Sequence, residues 1–175
     1  MISTTKIQLT KLDIVLHQLE TAVTLWFNRG DDISIHTLAS SAYQIVYDLN
    51  KHTEGSHNML PDSEYIRPEK RSEFKTVLKK SYNYMKHANN DPTKILLFNP
   101  GTTEFVLLEA ITYYTGLAKK STPLFKFFYI WMTLQCPDIF VLSFVEHVRK
   151  NVPINHIGDV DRVEFFKYFS DSSYD

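Results

Sequence analysis

Apolar residues recur along this chain at steps of three and four rather than in alternation, which is the spacing of one buried face of a helix. Thr10 with Asp13 three residues later forms an N-cap pair, and Leu12, Val15, Leu16, Leu19, Ala22, Val23 and Trp26 stripe a first helix ending near Gly30. Asp31 and Asp32 are placed to cap a second, striped by Ile35, Leu38, Ala39, Ala42, Ile45, Val46 and Leu49. So short a connection predicts an antiparallel pair. From Asn50 to Arg67 the chain carries Gly55, Asn58, Pro61 and Asp62 without an apolar period, the pattern of a long surface loop.

Pro68 suits the first position of a third helix, with Phe74, Val77, Leu78, Met85 and Ala88 as its apolar stripe and Asp91-Pro92 as its end. Four residues, Ile95 to Phe98, are too few for periodicity to choose between an extended segment and a helical turn. A fourth helix from Thr102 or Thr103 through Leu117 is apolar nearly all round, which predicts a central element. A fifth runs from Thr122-Pro123 to about Gln135, and Pro137 separates it from a sixth, from about Asp138 to Lys150. Asp159 is placed to cap a last helix carrying Val160, Val163, Phe166 and Phe169. The expected architecture is all-α, a single-domain bundle of six to seven helices over residues 10–169, between a tail at 1–9 and a disordered tail at 170–175.

At 175 residues the chain is of single-domain size, long enough to bury a sizeable core. Nineteen Lys and Arg against twenty Asp and Glu leave no global charge to hold a polyanion, so such a role has to come from local charge. The single Cys136 excludes an intrachain disulfide and fits a cytoplasmic protein. The most apolar run, Pro123 to Leu134, contains Lys126 and is short of a membrane span, so no membrane role is expected. Aromatic residues make up 14% of the chain, enough for a ring-rich core or a ring-rich interface between copies in a homo-oligomer.

Local charge is concentrated on the third helix. Between Arg67 and His87 stand seven Lys or Arg and two Glu, a surplus of five positive charges. Projected at 3.6 residues per turn, Arg71, Lys75, Lys79 and Lys86 form a basic stripe, and Lys80, Asn83, Tyr84 and His87 a separate line facing away from the core. Acid early and base late also complement the helix dipole, which accounts for part of the pattern without any function. The functional reading makes His87 an acid-base group, because imidazole exchanges protons near neutral pH, with Asn83 as orienter. Lys80 and Lys86 then stabilise charge on a phosphodiester, beside Tyr84.

On the second helix His36, Ser40, Tyr43 and Tyr47 lie along one flank of the apolar stripe, so His36 and Tyr43 are candidate ligand-binding residues. The plainer reading pairs His36 with Asp32 one turn earlier and leaves the tyrosines at the core boundary with wet hydroxyls. Glu54-Gly55-Ser56-His57 and Glu146-His147 set carboxylate beside imidazole, but not in the repeated Glu and Glu-x-x-His arrangement of a di-iron bundle, so no metal and no cofactor is expected. Cys136, between an apolar helix and Pro137, reads as an inert buried thiol.

Ser34-Ile35-His36-Thr37-Leu38-Ala39 and Lys86-His87-Ala88-Asn89-Asn90-Asp91-Pro92 resemble segments of a family of uncharacterised bacterial proteins, over about residues 10 to 118. That likeness implies kinship and no activity. The chain also resembles, more weakly, HEPN domains, helical bundles in which a helix pair precedes a helix bearing Arg, four to six residues, then His. Many of those are dimeric, metal-independent ribonucleases and others only bind, so the resemblance implies RNA or a nucleotide as partner. Asn83 and His87 match that pattern while Tyr82 stands where it has Arg, and Lys80 supplies a cation of another type. Arg149 and His156 also satisfy the spacing, with Pro153 between them.

Overall fold

The computed structural model of the chain describes residues 6–53, 68–87, 89, 92–140, 142–151 and 161–171. Among them are seven α-helices and no strand: α1 (Lys11–Phe27), α2 (Asp32–Lys51), α3 (Pro68–Lys86), α4 (Thr102–Ala118), α5 (Pro123–Gln135), α6 (Leu142–Asn151) and α7 (Arg162–Asp171). None of the described helices is long and apolar enough to cross a membrane.

The ends of α1 are fixed by its own sequence. Thr10 Oγ1 accepts the Asp13 N–H at 3.1 Å while Asp13 Oδ2 accepts the Thr10 N–H at 2.8 Å, which closes the expected capping box. At the other end Gly30 N–H donates to Leu25 O at 2.8 Å and Arg29 N–H to Trp26 O at 3.2 Å. This is a Schellman ending, in which Arg29 occupies the left-handed position (φ 53°) that glycine usually takes. A Cβ at Gly30, one residue later, would stand 3.1 Å from the Leu25 carbonyl, tighter than an ordinary contact. The chain reverses, Asp31 accepts the Ser34 N–H at 2.8 Å, and α2 returns along α1 as the short connection predicts.

Several boundaries differ from the sequence reading: α3 ends at Lys86 rather than at Asp91-Pro92, and α7 runs to Asp171, into the tail expected from residue 170. Pro137–Ile139 forms a 3-10 turn, so α6 starts at Leu142 rather than near Asp138. Asp161 Oδ1 accepts the Val163 N–H at 2.9 Å at the start of α7, while Asp159 lies outside the described residues. The loop expected over 50–67 begins later than predicted, since α2 runs on to Lys51; 54–67 lie outside the described residues. So do His57, Ala88, Asp91, His156 and the tails 1–5 and 172–175. Residues 94–99 belong to no helix, which settles the segment the pattern left open.

One continuous apolar cluster draws on α1, α2, α4, α5 and α7. Rings fill much of it: Trp26 and Phe27 meet Phe128 edge-on, Trp131 meets Phe165, and Phe166 stacks on Phe27 with centroids 4.7 Å apart. Each wholly buried Phe among them, such as Phe27, Phe128 and Phe165, contributes about 1.5–3 kcal/mol relative to exposure. The aromatic surplus is thus largely a property of the core. α4 is central as predicted, with Leu107, Ala110 and Ile111 wholly buried, yet one flank is open, where Phe105 and Thr112 are exposed.

Candidate functional site

Side chains from the last two turns of α3 divide sharply. Ser81, Tyr84 and Met85 are half-buried against the body of the protein, while Lys80, Asn83, Lys86 and His87 are exposed. Two contacts set this rotation. The Tyr84 hydroxyl donates to the Lys94 carbonyl, and the Thr37 hydroxyl of α2 lies 3.8 Å from the Met85 sulfur. His87 N–H still donates to Asn83 O at 3.0 Å, so the imidazole continues the outer line of the helix past its formal end. Lys86 Nζ lies 5.3 Å from the centroid of the Tyr82 ring, and Lys79 Nζ 5.5 Å from that of Tyr47, both within cation–π range. The exposed face therefore presents two ammonium groups, an amide and an imidazole to solvent.

His36 and Tyr43 stand elsewhere. His36 is 2% exposed on the inner side of α2, with Nδ1 2.9 Å from Thr103 Oγ1 in the first turn of α4 and its ring edge-on to Phe98. Its partner is Thr103 rather than the Asp32 that helical spacing suggests. Burial pushes the imidazole pKa down. Nε2 of His36 and Oγ of Ser40, one turn further along α2, are both buried and find no hydrogen-bond partner among the described residues. Tyr43 stacks on Tyr47, and both rings are buried rather than at the core boundary. His36 and His87 therefore do not share a site, although α2 and α3 touch between them at Thr37 and Met85. His36 turns to α4, and His87 to water.

A charged cluster lies at the α4 end nearest α7. The Arg162 guanidinium sits 4.6 Å from the Trp26 ring centroid, and Glu104 hydrogen-bonds the Trp26 side chain. Burial raises the Glu104 pKa against the opposing pull of Arg162. Cys136 is half-buried beside them, and burial pushes its thiol up, away from the nucleophilic thiolate. Among the described residues no three His, Cys, Asp or Glu side chains are grouped to hold a metal ion.

Sequence reasoning passed over a cleft of about 510 Å³ between α4, α5 and α6, where Tyr129, Ile130, Phe144 and Val148 meet Thr112, Lys126, His147 and Asn151. Its residues come from three helices, and no single-helix projection assembles them. The available signal was the pair Thr112 and Thr115, one turn apart on α4. Compared with models of known families, with curated proteins and with solved structures, the chain matches none.

Proposed function

We propose that this protein is a helical binding module that contacts RNA or a nucleotide through the outer face of α3. Lys80 and Lys86 engage phosphate, and Asn83 and His87 bind beside them. The observation that carries the reading is that these four side chains stand exposed together while Tyr84 and Met85 anchor the helix behind them. Phosphate binding needs such cations held in fixed register on a surface that tracks a backbone. In the HEPN-like version of the reading, His87 transfers a proton during cleavage of the phosphodiester. Incubating labelled single-stranded RNA with the purified protein and with His87→Ala separates the two versions. Cleavage by the wild type that His87→Ala abolishes supports the enzyme, and binding without cleavage leaves the module alone. If neither occurs at low salt, the RNA reading is lost.

A second reading, assembly of the chain with a second copy, rests on a different surface. The rings are largely committed to the core, but Ile95 and Leu97 are 89% and 94% exposed on the non-helical 94–99 segment, while Leu96 and Phe98 alternate inward. These two side chains, exposed on one side of a segment outside the helices, are the apolar surface this reading uses. Light scattering of the wild type and of the double variant Ile95→Lys/Leu97→Lys tests it. A dimer that the substitutions dissociate supports assembly through this segment, and a monomeric wild type removes it.

A further inference from the structure

The cleft between α4, α5 and α6 is separate from the α3 face and has the build of a small-molecule site. Its volume of about 510 Å³ lies within the roughly 300–1,000 Å³ typical of ligand pockets. At about 30 Å³ for a water in the liquid, that is the space of about 17 waters, or a ligand on the order of 15 non-hydrogen atoms.

Its walls are sorted by polarity. α5 lines it with Lys126 near the helix start and with Tyr129 and Ile130 one turn on; α6 lines it from Phe144, through Val148, to Asn151 at its end. A link of only six residues, 136–141, joins α5 to α6, so α6 returns against the direction of α5. The Asn151 end of α6 is thereby set toward the Lys126 end of α5. The rings of Tyr129, Phe140 and Phe144 meet toward the other end, with centroids 6.3 and 5.9 Å apart in succession. One end is polar and cationic, the other apolar.

The hydrogen bonds already made in the wall define what a ligand finds there. Thr112 donates its hydroxyl to Leu108 O at 2.6 Å, so in its contact with Tyr129 the tyrosine is the donor. Burial raises the Tyr129 pKa, so this proton stays in place. Asn151 Nδ2 donates to His147 O at 2.7 Å and faces His147 Nδ1 at 3.5 Å. Among the described residues that line the cleft, Lys126 is the one formal cation and none is a carboxylate. The positive end of α5, capped by Thr122, adds to the same field. A single cation with no facing acid suits a head group of charge −1, which a carboxylate carries and a phosphate monoester dianion exceeds.

We infer that this cleft binds a small amphiphilic carboxylate, its head at Lys126 and its apolar body along Ile130, Phe144 and Val148. Dodecanoate, with 14 non-hydrogen atoms, is the probe, and dodecyltrimethylammonium, of the same chain length and opposite charge, its control. Calorimetric titration of the full chain should show saturable 1:1 binding of dodecanoate below its micelle concentration and none of the cation. Lys126→Ala should weaken dodecanoate binding by roughly tenfold or more, the effect of losing a charge-assisted hydrogen bond. Thr115→Trp, from a half-buried lining position, should block it. Methyl NMR of the wild type keeps the test independent of variants that misfold. Ile130 and Val148 signals should shift on titration while those of Ile35 and Val46, in the core, stay fixed. Equal binding of both amphiphiles, an unchanged affinity in Lys126→Ala, or methyl shifts confined to residues outside the cleft would overturn the assignment.

Discussion

Replacing Thr103 by Val removes one hydroxyl from the core and little else, because the two side chains have nearly the same shape. Thr103 is 3% exposed and His36 2%, with 2.9 Å between the hydroxyl and Nδ1. Among the described residues the substitution leaves neither ring nitrogen of His36 partnered, since Nε2 already lacks a partner there. A buried polar group deprived of its partner costs about 1–3 kcal/mol. For a domain of this size each kcal/mol moves the melting temperature by about 2–4 °C, so Tm should fall by about 2–12 °C. The double variant His36→Leu/Thr103→Val removes both partners together. It should be more stable than the sum of the single changes implies, by a coupling of about 0.5–3 kcal/mol. Urea denaturation followed by circular dichroism measures all three variants against the wild type. A Thr103→Val loss within about 0.5 kcal/mol of zero, as for an ordinary surface change, would refute the role given to this pair, as would strict additivity.

The same histidine gives stability a pH dependence of defined sign. Its folded pKa lies below the ordinary 6.5, so between the two values the unfolded chain binds a proton that the folded chain does not. The His36 contribution is therefore intact above about pH 6.5 and declines as pH falls below it; urea titrations across that range should show the decline reduced in His36→Leu. Phe27→Ala, at a wholly buried ring touching Trp26, Phe128, Phe165 and Phe166, should cost about 3–5 kcal/mol in the same assay. Thr122→Ala removes the oxygen that accepts the Phe125 N–H at the start of α5 and should cost about 1 kcal/mol, read as a shift in the urea midpoint.

Helix ends that rest on short-range chemistry could be read from the chain. The Thr10–Asp13 box, the Asp31 cap, the Gly30 turn and the Thr122-Pro123 start each lie within a few residues and appear in the structure as the sequence suggests. The fold class followed from the apolar spacing. Where the reading slipped, a longer-range contact decided. His36 was assigned to Asp32 because both lie on one helix, whereas its partner Thr103 is 67 residues away and comes within reach only when α4 packs on α2. Asp138 looked like a helix start, but Pro137 first drives a 3-10 turn. On α3 the helical projection places Lys80, Asn83 and His87 outward as found, but it also places Tyr84 there, which turns inward because its hydroxyl reaches the Lys94 carbonyl outside the helix. The cleft behind α5 was not legible, because three helices build it.

The most direct test of the RNA reading is the salt dependence of binding. Fluorescence anisotropy of a labelled single-stranded RNA should give an affinity that falls linearly with the logarithm of salt concentration, by about 0.7 log units per phosphate contact. If Lys80 and Lys86 each neutralise one phosphate, Lys80→Ala/Lys86→Ala should flatten that slope by about 1.4. Its Tm should stay near that of the wild type, because both side chains are exposed. A slope that the double substitution leaves unchanged, or an affinity indifferent to salt, would contradict the assignment of α3 as the phosphate-binding face.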